Sequence, residues 1–358
     1  MFTWIGIIAA FFVTLAMTPV AIHLAQKYNI VDIPNQRKIH TTPTPRMGGI
    51  AIYAGFVIGA LLLVTYTRQV AALLVGGTIV MLTGLVDDFK DISPKLKLLG
   101  QVVAALVLVY GGFTIRFITN PFNGTLISLG FLAVPITVLW LVGVSNAVNL
   151  IDGLDGLCSG VSTIAAVSTA VVCISQGEFT AAGLAGVLAA SALGFLRYNF
   201  HPAKTFMGDC GSLFLGFILG ALSLMGLSKG ATVVSVFIPF IILGIPVFDT
   251  VCAIIRRMWL RKPIFAADKM HLHQTLLSMG LSHSQTVLVI YAISLVMGIA
   301  AVLMAVLATA QATIVLIVIT LLTFLGADFL GVLRGRRSSW FSRRERSGKQ
   351  DSTMDGCR

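Results

Sequence analysis

An all-α polytopic membrane protein is the fold class this sequence predicts, on three observations. Of 358 residues, 57% are hydrophobic and only 11% charged, against about 25% charged in soluble domains. Apolar runs near the about 20 residues that cross a bilayer as a helix recur along the whole chain. Laid across a membrane, these runs leave nearly all basic residues on one side, as the positive-inside rule requires.

The runs lie near 2–22, 47–67, 69–86, 98–115, 130–148, 156–177, 179–196, 210–228, 230–250, 284–306 and 309–330. That is about eleven transmembrane helices. Ser284–Ala327 carries no charge and is too long for one helix, so it divides in two. The first run lacks a basic n-region and an A-x-A site, and reads as a retained helix rather than a cleaved signal. An odd count puts the termini on opposite sides, with the N-terminus outside and the basic C-terminus in the cytoplasm. All of the 25 Lys and Arg then face the cytoplasm except Arg68, Arg116 and Lys229. Residues 1–333 read as one transmembrane catalytic domain and 334–358 as a basic, disordered cytoplasmic tail.

The net charge of +11 follows from this topology and attracts anionic lipid and anionic substrates to one face. It does not indicate nucleic acid. The five cysteines have no metal-type spacing, and no disulfide is implied.

The carboxylates are the informative residues. An Asp at the bilayer centre costs roughly 2.5–3.5 kcal/mol on insertion scales, so carboxylates near membrane depth mark aqueous sites. All 14 Asp and Glu except Glu178 fall on the cytoplasmic side. The cores of the spans hold no ionisable groups, which a transporter would be expected to carry; chemistry at the cytoplasmic interface is the better reading.

Asn146–Gly156, NAVNLIDGLDG, follows the uncharged stretch Phe117–Ile151. Asp152 and Asp155 at i,i+3 share a face if helical. The third run ends in Asp87-Asp88, whose mutual repulsion calls for a nearby cation: Mg²⁺, which takes carboxylate and phosphate oxygens, or a lysine. Arg46 stands before Met47-Gly48-Gly49, where a helix start adds its pull on anions. Asp209 lies between two glycines at another helix start, as an N-cap or a ligand. Asn123-Gly124 suggests a small hairpin. Pro246 should kink or break the ninth span, and Asp249 after it reads as an arginine partner. His271 and His273 fit phosphate contacts; with no third soft ligand nearby they do not make a zinc site. His23 and His283 look incidental.

Together RKIHTTPTPRMGG, GLVDDFKD, NAVNLIDGLDG, YNFHPAKTFMGDCGS, PVFDTVCAIIRR and DKMHLHQTLL run in the order of a known family. The chain resembles the polyprenyl-phosphate N-acetylhexosamine-1-phosphate transferases (glycosyltransferase family 4), and within them the branch that starts teichoic acid, O-antigen and enterobacterial common antigen. That branch has a His-x-His-His loop; here Gln274 replaces the last histidine.

The resemblance implies a multi-pass enzyme of the bacterial cytoplasmic membrane that takes UDP-GlcNAc and undecaprenyl phosphate to undecaprenyl-diphosphate-GlcNAc and UMP with Mg²⁺, or Mn²⁺. It implies catalytic roles for Asp87, Asp88, Asp152 and Asp155, and metal contacts at Asp209 and Asn149. A nucleoside pocket would use Phe206 for stacking, with Asn199, Gly153 and Asp155 around it. Arg46, Lys95, His271 and His273 would contact phosphate or sugar. The alternatives are another UDP-HexNAc or UDP-MurNAc-pentapeptide as donor, or a lipid-linked sugar transporter. A homodimer is compatible with the family.

Overall fold

The computed structural model describes residues 3–32, 43–63, 67–119, 125–226, 235–259, 261 and 271–329. Its helices are α1 (Thr3–Lys27), α2 (Gly48–Leu63), α3 (Arg68–Lys90), α4 (Pro94–Gly111), α5 (Ala133–Leu150), α6 (Leu157–Ser175), α7 (Phe179–Asn199), α8 (Gly208–Met225), α9 (Ile238–Ile242), α10 (Gly244–Trp259), α11 (Leu272–Ser278), α12 (His283–Val306) and α13 (Thr309–Phe329). Two short antiparallel ribbons join them. One pairs β1 (Val31–Asp32) with β2 (Thr44–Pro45), the other β3 (Phe117–Thr119) with β4 (Leu126–Ser128). The second is the hairpin expected around Asn123-Gly124, whose turn lies outside the described residues, as do Arg37, Lys38, His40 and the 334–358 tail.

Among the described residues, nine helices are long and apolar enough to cross a membrane. Two of the eleven expected spans look different. Helix α2 has 16 residues, short of a full crossing. The run near 230–250 is interrupted at Leu243, between α9 and α10. Pro246 does not kink a continuous helix: it sits in the first turn of α10, where backbone N–H groups have no intrahelical partner and a missing one costs little.

Local signals set the helix ends that matter. The Ser93 side chain caps α4 and Pro94 occupies its first turn. Helix α3 stops at Asp91, in the left-handed region with φ 46°. Ser282 and Gln285 form a reciprocal capping box that starts α12.

The core centres on α8, whose residues are nearly all buried. It packs against α2, α3, α5, α6 and α7. Polar side chains at the helix contacts around α5 are paired, which lowers the cost of placing them in a low-dielectric interior. Gln101 and Asn146 exchange amide hydrogen bonds of 3.3 and 2.7 Å between α4 and α5. Ser145 donates to the Leu213 carbonyl (2.8 Å) and Trp140 to that of Gly220 (3.1 Å), clamping α5 to α8.

Candidate active site

The site gathers where α3 and α5 end and α4 and α8 begin. Gly84, on α3, makes this possible: a Cβ there would lie 2.5–2.6 Å from the Asp209 backbone and Cys210 Cα. The two helices touch backbone to backbone, and the next turn of α3 delivers Asp88 to the N-terminus of α8. Asp88 accepts hydrogen bonds from the Asp209 N–H (2.9 Å) and Cys210 N–H (3.0 Å), which a helix start offers to an anion. Gly208 lets the chain enter α8 at φ 69°, with the Asp88 carboxylate pressed where a Cβ would stand.

Arg46 completes this corner. Its Nε is 3.1 Å from Asp88 and its terminal nitrogen 3.1 Å from Asp209. It is aimed by backbone zippering: Phe206 N–H to Pro45 O (2.8 Å), Gly48 N–H to Phe206 O (3.0 Å) and Gly49 N–H to Met207 O (2.9 Å). The same zipper places Phe206, half-buried, beside Arg46.

The second basic group among the carboxylates is Lys97, not Lys95. Lys95 is exposed, whereas Lys97 lies 3.3 Å from Asp87 and against Asp209. The reason is helical rotation: Lys97, Gln101, Ala104, Ala105 and Leu108 form one inward stripe of α4, and a residue two places away faces about 200° around. That periodicity, read from the Ser93-Pro94 helix start, is the signal in the sequence for Lys97.

Asn149 donates to Asp209 (3.2 Å) and to Ser212 Oγ (2.8 Å), which leaves its carbonyl oxygen as a further ligand atom. Asp87 and Asp209 come within hydrogen-bond reach of each other. Carboxylates this close, in an oxygen-rich set balanced only in part by Arg46 and Lys97, fit a hard divalent cation such as Mg²⁺. Asp209, Asn149 and Asp87 are the residues that would hold it. Asp152 is near enough to feel Asp209; burial first, then that charge, push its carboxyl up to about 7.

Asn199 is not free to touch a ligand. It accepts from Gly156 N–H (3.1 Å) and Ser159 Oγ (2.9 Å) and donates to Thr205 O (3.0 Å), all while buried. It ties the Asp152–Gly156 loop to the segment carrying Phe206. Asn199→Ala is expected to lower stability by about 3 kcal/mol, roughly 1 kcal/mol per bond with a penalty for orphaned partners, read as a lower melting temperature in detergent.

Asp155 faces a different set of partners. It turns to His201 Nδ1 (2.8 Å) and the Ala203 N–H (3.1 Å), away from the Asp87–Asp209 group.

The last loop arrives through a buried dyad. Asp249 on α10 accepts from His271 Nδ1 (2.7 Å) and the Leu272 N–H (2.9 Å); the arginine expected for it gives way to this histidine. The bond fixes the imidazole tautomer and leaves Nε2 as the acceptor nitrogen. His273 stacks parallel to His271 at 5.8 Å and lies on Gly153, where a Cβ would meet its Nε2 at 2.6 Å.

Burial drives His273 down to about 4, so it is a neutral hydrogen-bonding group, not a cation. The sign of its linkage follows. The unfolded imidazole protonates near 6.5, so stability falls as pH drops from 6.5 through 4. His273→Gln should flatten that slope in thermal melts, a loss on the order of 3 kcal/mol across the window.

Fold and site together define a class: a multi-pass helical membrane protein with carboxylates and basic side chains gathered at one end of its bundle. Residues 70–227 match the glycosyl transferase family 4. A Bacillus subtilis protein named "Probable undecaprenyl-phosphate N-acetylglucosaminyl 1-phosphate transferase" is 47% identical over 305 residues, 84% of this chain and 85% of that protein. A decaprenyl-phosphate N-acetylglucosaminephosphotransferase of Mycobacterium tuberculosis is 35% identical over 318 residues, 80% and 78% of the two chains. A phospho-N-acetylmuramoyl-pentapeptide-transferase of Geobacillus sp. is 32% identical over 317 residues, 81% and 94%. The chain belongs to glycosyl transferase family 4, among the polyprenyl-phosphate N-acetylhexosamine-1-phosphate transferases.

Proposed function

We propose that the chain transfers GlcNAc 1-phosphate from UDP-GlcNAc to undecaprenyl phosphate, giving undecaprenyl-diphosphate-GlcNAc and UMP. The observation that carries this is the convergence of Asp87, Asp88, Asn149 and Asp209 with Arg46 and Lys97 at one end of membrane-length helices. The relative at 47% identity supports the GlcNAc donor and the undecaprenyl acceptor. The basic segregation supports a site on the cytoplasmic face of a bacterial plasma membrane, with eleven membrane passes and the N-terminus outside.

A lipid phosphate oxygen attacks the β-phosphorus of the donor; the bond from that phosphorus to the oxygen of UMP breaks, and UMP leaves. A phosphomonoester has a second pKa of about 6, so the acceptor is roughly 90% dianion at pH 7 and needs no base. Asp88 is in any case committed to two amides and Arg46, which suits an organiser of the site better than a base or nucleophile. Arg46 and Lys97 offset the charge of the two anionic substrates. Phe206 presents a ring to the uracil, His271 a fixed Nε2 and His273 a neutral imidazole to the diphosphate or sugar. Mg²⁺, when bound, neutralises the diphosphate and stabilises the departing UMP.

The test is transfer of label from UDP-[¹⁴C]GlcNAc to the lipid phase by purified protein, undecaprenyl phosphate and Mg²⁺, with UDP-GalNAc and UDP-MurNAc-pentapeptide in parallel. Label reaching the lipid only from UDP-GlcNAc supports the proposal; transfer from another donor alone refutes the sugar, and none from any donor refutes the reaction. Exchange of labelled UMP into UDP-GlcNAc without acceptor would sink the single displacement.

A further inference from the structure

A second cluster of ligating side chains lies apart from the carboxylates that the proposed reaction uses. Asp155 comes from the loop between α5 and α6, His201 from the segment after α7, and His283 from the first turn of α12. One ligating atom from each lies within 4.8 Å of the others. His201 and His283 stack face to face, centroids 4.2 Å apart and planes 15° apart. The Asp155 carboxylate is already held in place by His201 and the Ala203 N–H.

The decisive feature is His283. Both of its ring nitrogens are buried and neither makes a hydrogen bond of good geometry, although the Asp155 backbone lies close by. A buried polar group left poorly paired is costly, so a capped helix start that places an imidazole there calls for a ligand.

We propose that Asp155, His201 and His283 form a binding site for a zinc-class divalent cation, distinct from the oxygen-rich site of Asp209. Two imidazoles and one carboxylate are a donor set for borderline metals such as Zn²⁺ or Co²⁺ rather than Mg²⁺. Three protein ligands leave a fourth position for water. Ligand atoms around a tetrahedral zinc stand about 3.3 Å apart, given bonds of about 2.0–2.1 Å, so the site must tighten. His201 is exposed and its ring is the one that moves. The cation would add a bond among three elements already linked by Asp155 to His201 and the Ala203 N–H and by the Tyr291 hydroxyl of α12 to the Gly156 carbonyl, and two of them flank Asp152 and Phe206. Sequence spacing hides this site, because its residues are 46 and 82 positions apart, and His283 alone reads as incidental.

The experiment uses untagged full-length protein in detergent, stripped with chelator, incubated with Zn²⁺ or Co²⁺ and desalted. Elemental analysis is expected to find one equivalent of zinc per chain, and the Co²⁺ form should show the intense visible bands of a low-coordinate site. Millimolar Mg²⁺ should not displace either ion. His283→Gln and His201→Gln should each weaken binding at least ~10-fold, with Asp209→Asn retaining the metal. Zinc at 100 times its dissociation constant should raise the melting temperature by ~5 °C in wild type and by little in the variants. Metal-free melts show whether a variant has simply misfolded, and the wild-type Co²⁺ spectrum stands without any variant. Wild type that retains no more zinc than His283→Gln, or zinc that leaves with Asp209→Asn, overturns the proposal. None of these readouts depends on sugar-phosphate transfer.

Discussion

Asp209→Asn is expected to abolish transfer while leaving the fold intact. Asp209 is the one carboxylate in contact with Arg46, Lys97 and Asn149 together. Neutralising it removes the charge that would hold a divalent cation against the donor diphosphate. A single preorganised electrostatic partner is worth about 10²–10³ in rate, and a ligand that organises several such partners more; the expected loss in kcat is ~10³-fold or greater. The fold should survive, because Arg46 keeps Asp88 and Lys97 keeps Asp87, and the isosteric amide oxygen can still accept from Asn149. The melting temperature should move by less than ~3 °C, the equivalent of about 1 kcal/mol. A variant that keeps a tenth of wild-type turnover would remove Asp209 from the reaction.

Gly84→Val is expected to cost both activity and stability. The new side chain would meet the Asp209 carbonyl and Cys210 Cα at 2.5–2.6 Å, and backbone cannot swing aside as a side chain can. Helices α3 and α8 must separate, which lifts Asp88 off the α8 amides and spoils the packing of the most buried helix. Overpacking at such a contact costs about 1–3 kcal/mol, to which the loss of charge-assisted hydrogen bonds adds about 1.5–3 kcal/mol. Gly143→Ala on α5 is the control: nothing lies within 4 Å of its added Cβ, and alanine favours a helix by about 1 kcal/mol over glycine. Thermal melts of both variants check the difference. Equal melting temperatures would mean that the α3–α8 contact does not set the site.

Much of the site was legible in the chain before folding. Asp87-Asp88, Asp152, Asp209 and Arg46 stand out because charge next to uncharged membrane-length segments is costly and therefore informative. The hairpin around Asn123-Gly124 followed from turn chemistry. Lys97 was readable too, from the helix start at Ser93 and the inward stripe through Gln101. Asn199 was not: a buried amide that saturates its hydrogen bonds and one that binds a ligand are the same letter in a sequence. Nor was the partner of Asp249, since the arginines seven and eight residues along its own helix were the nearer choice and His271 reaches it from another element.

The sequence by itself determined the class of the protein, its membrane-length helices, the segments where the carboxylates cluster and the family, because hydropathy, helix caps and motif order are local properties. Only the tertiary structure decided which charges meet. Arg46 and Asp209 are 163 positions apart, and Asp155 faces His201 and His283 rather than the other carboxylates. Such pairings depend on how closely helices approach, which here rests on single glycines such as Gly84, and on which side of a helix each residue presents once its neighbours are packed.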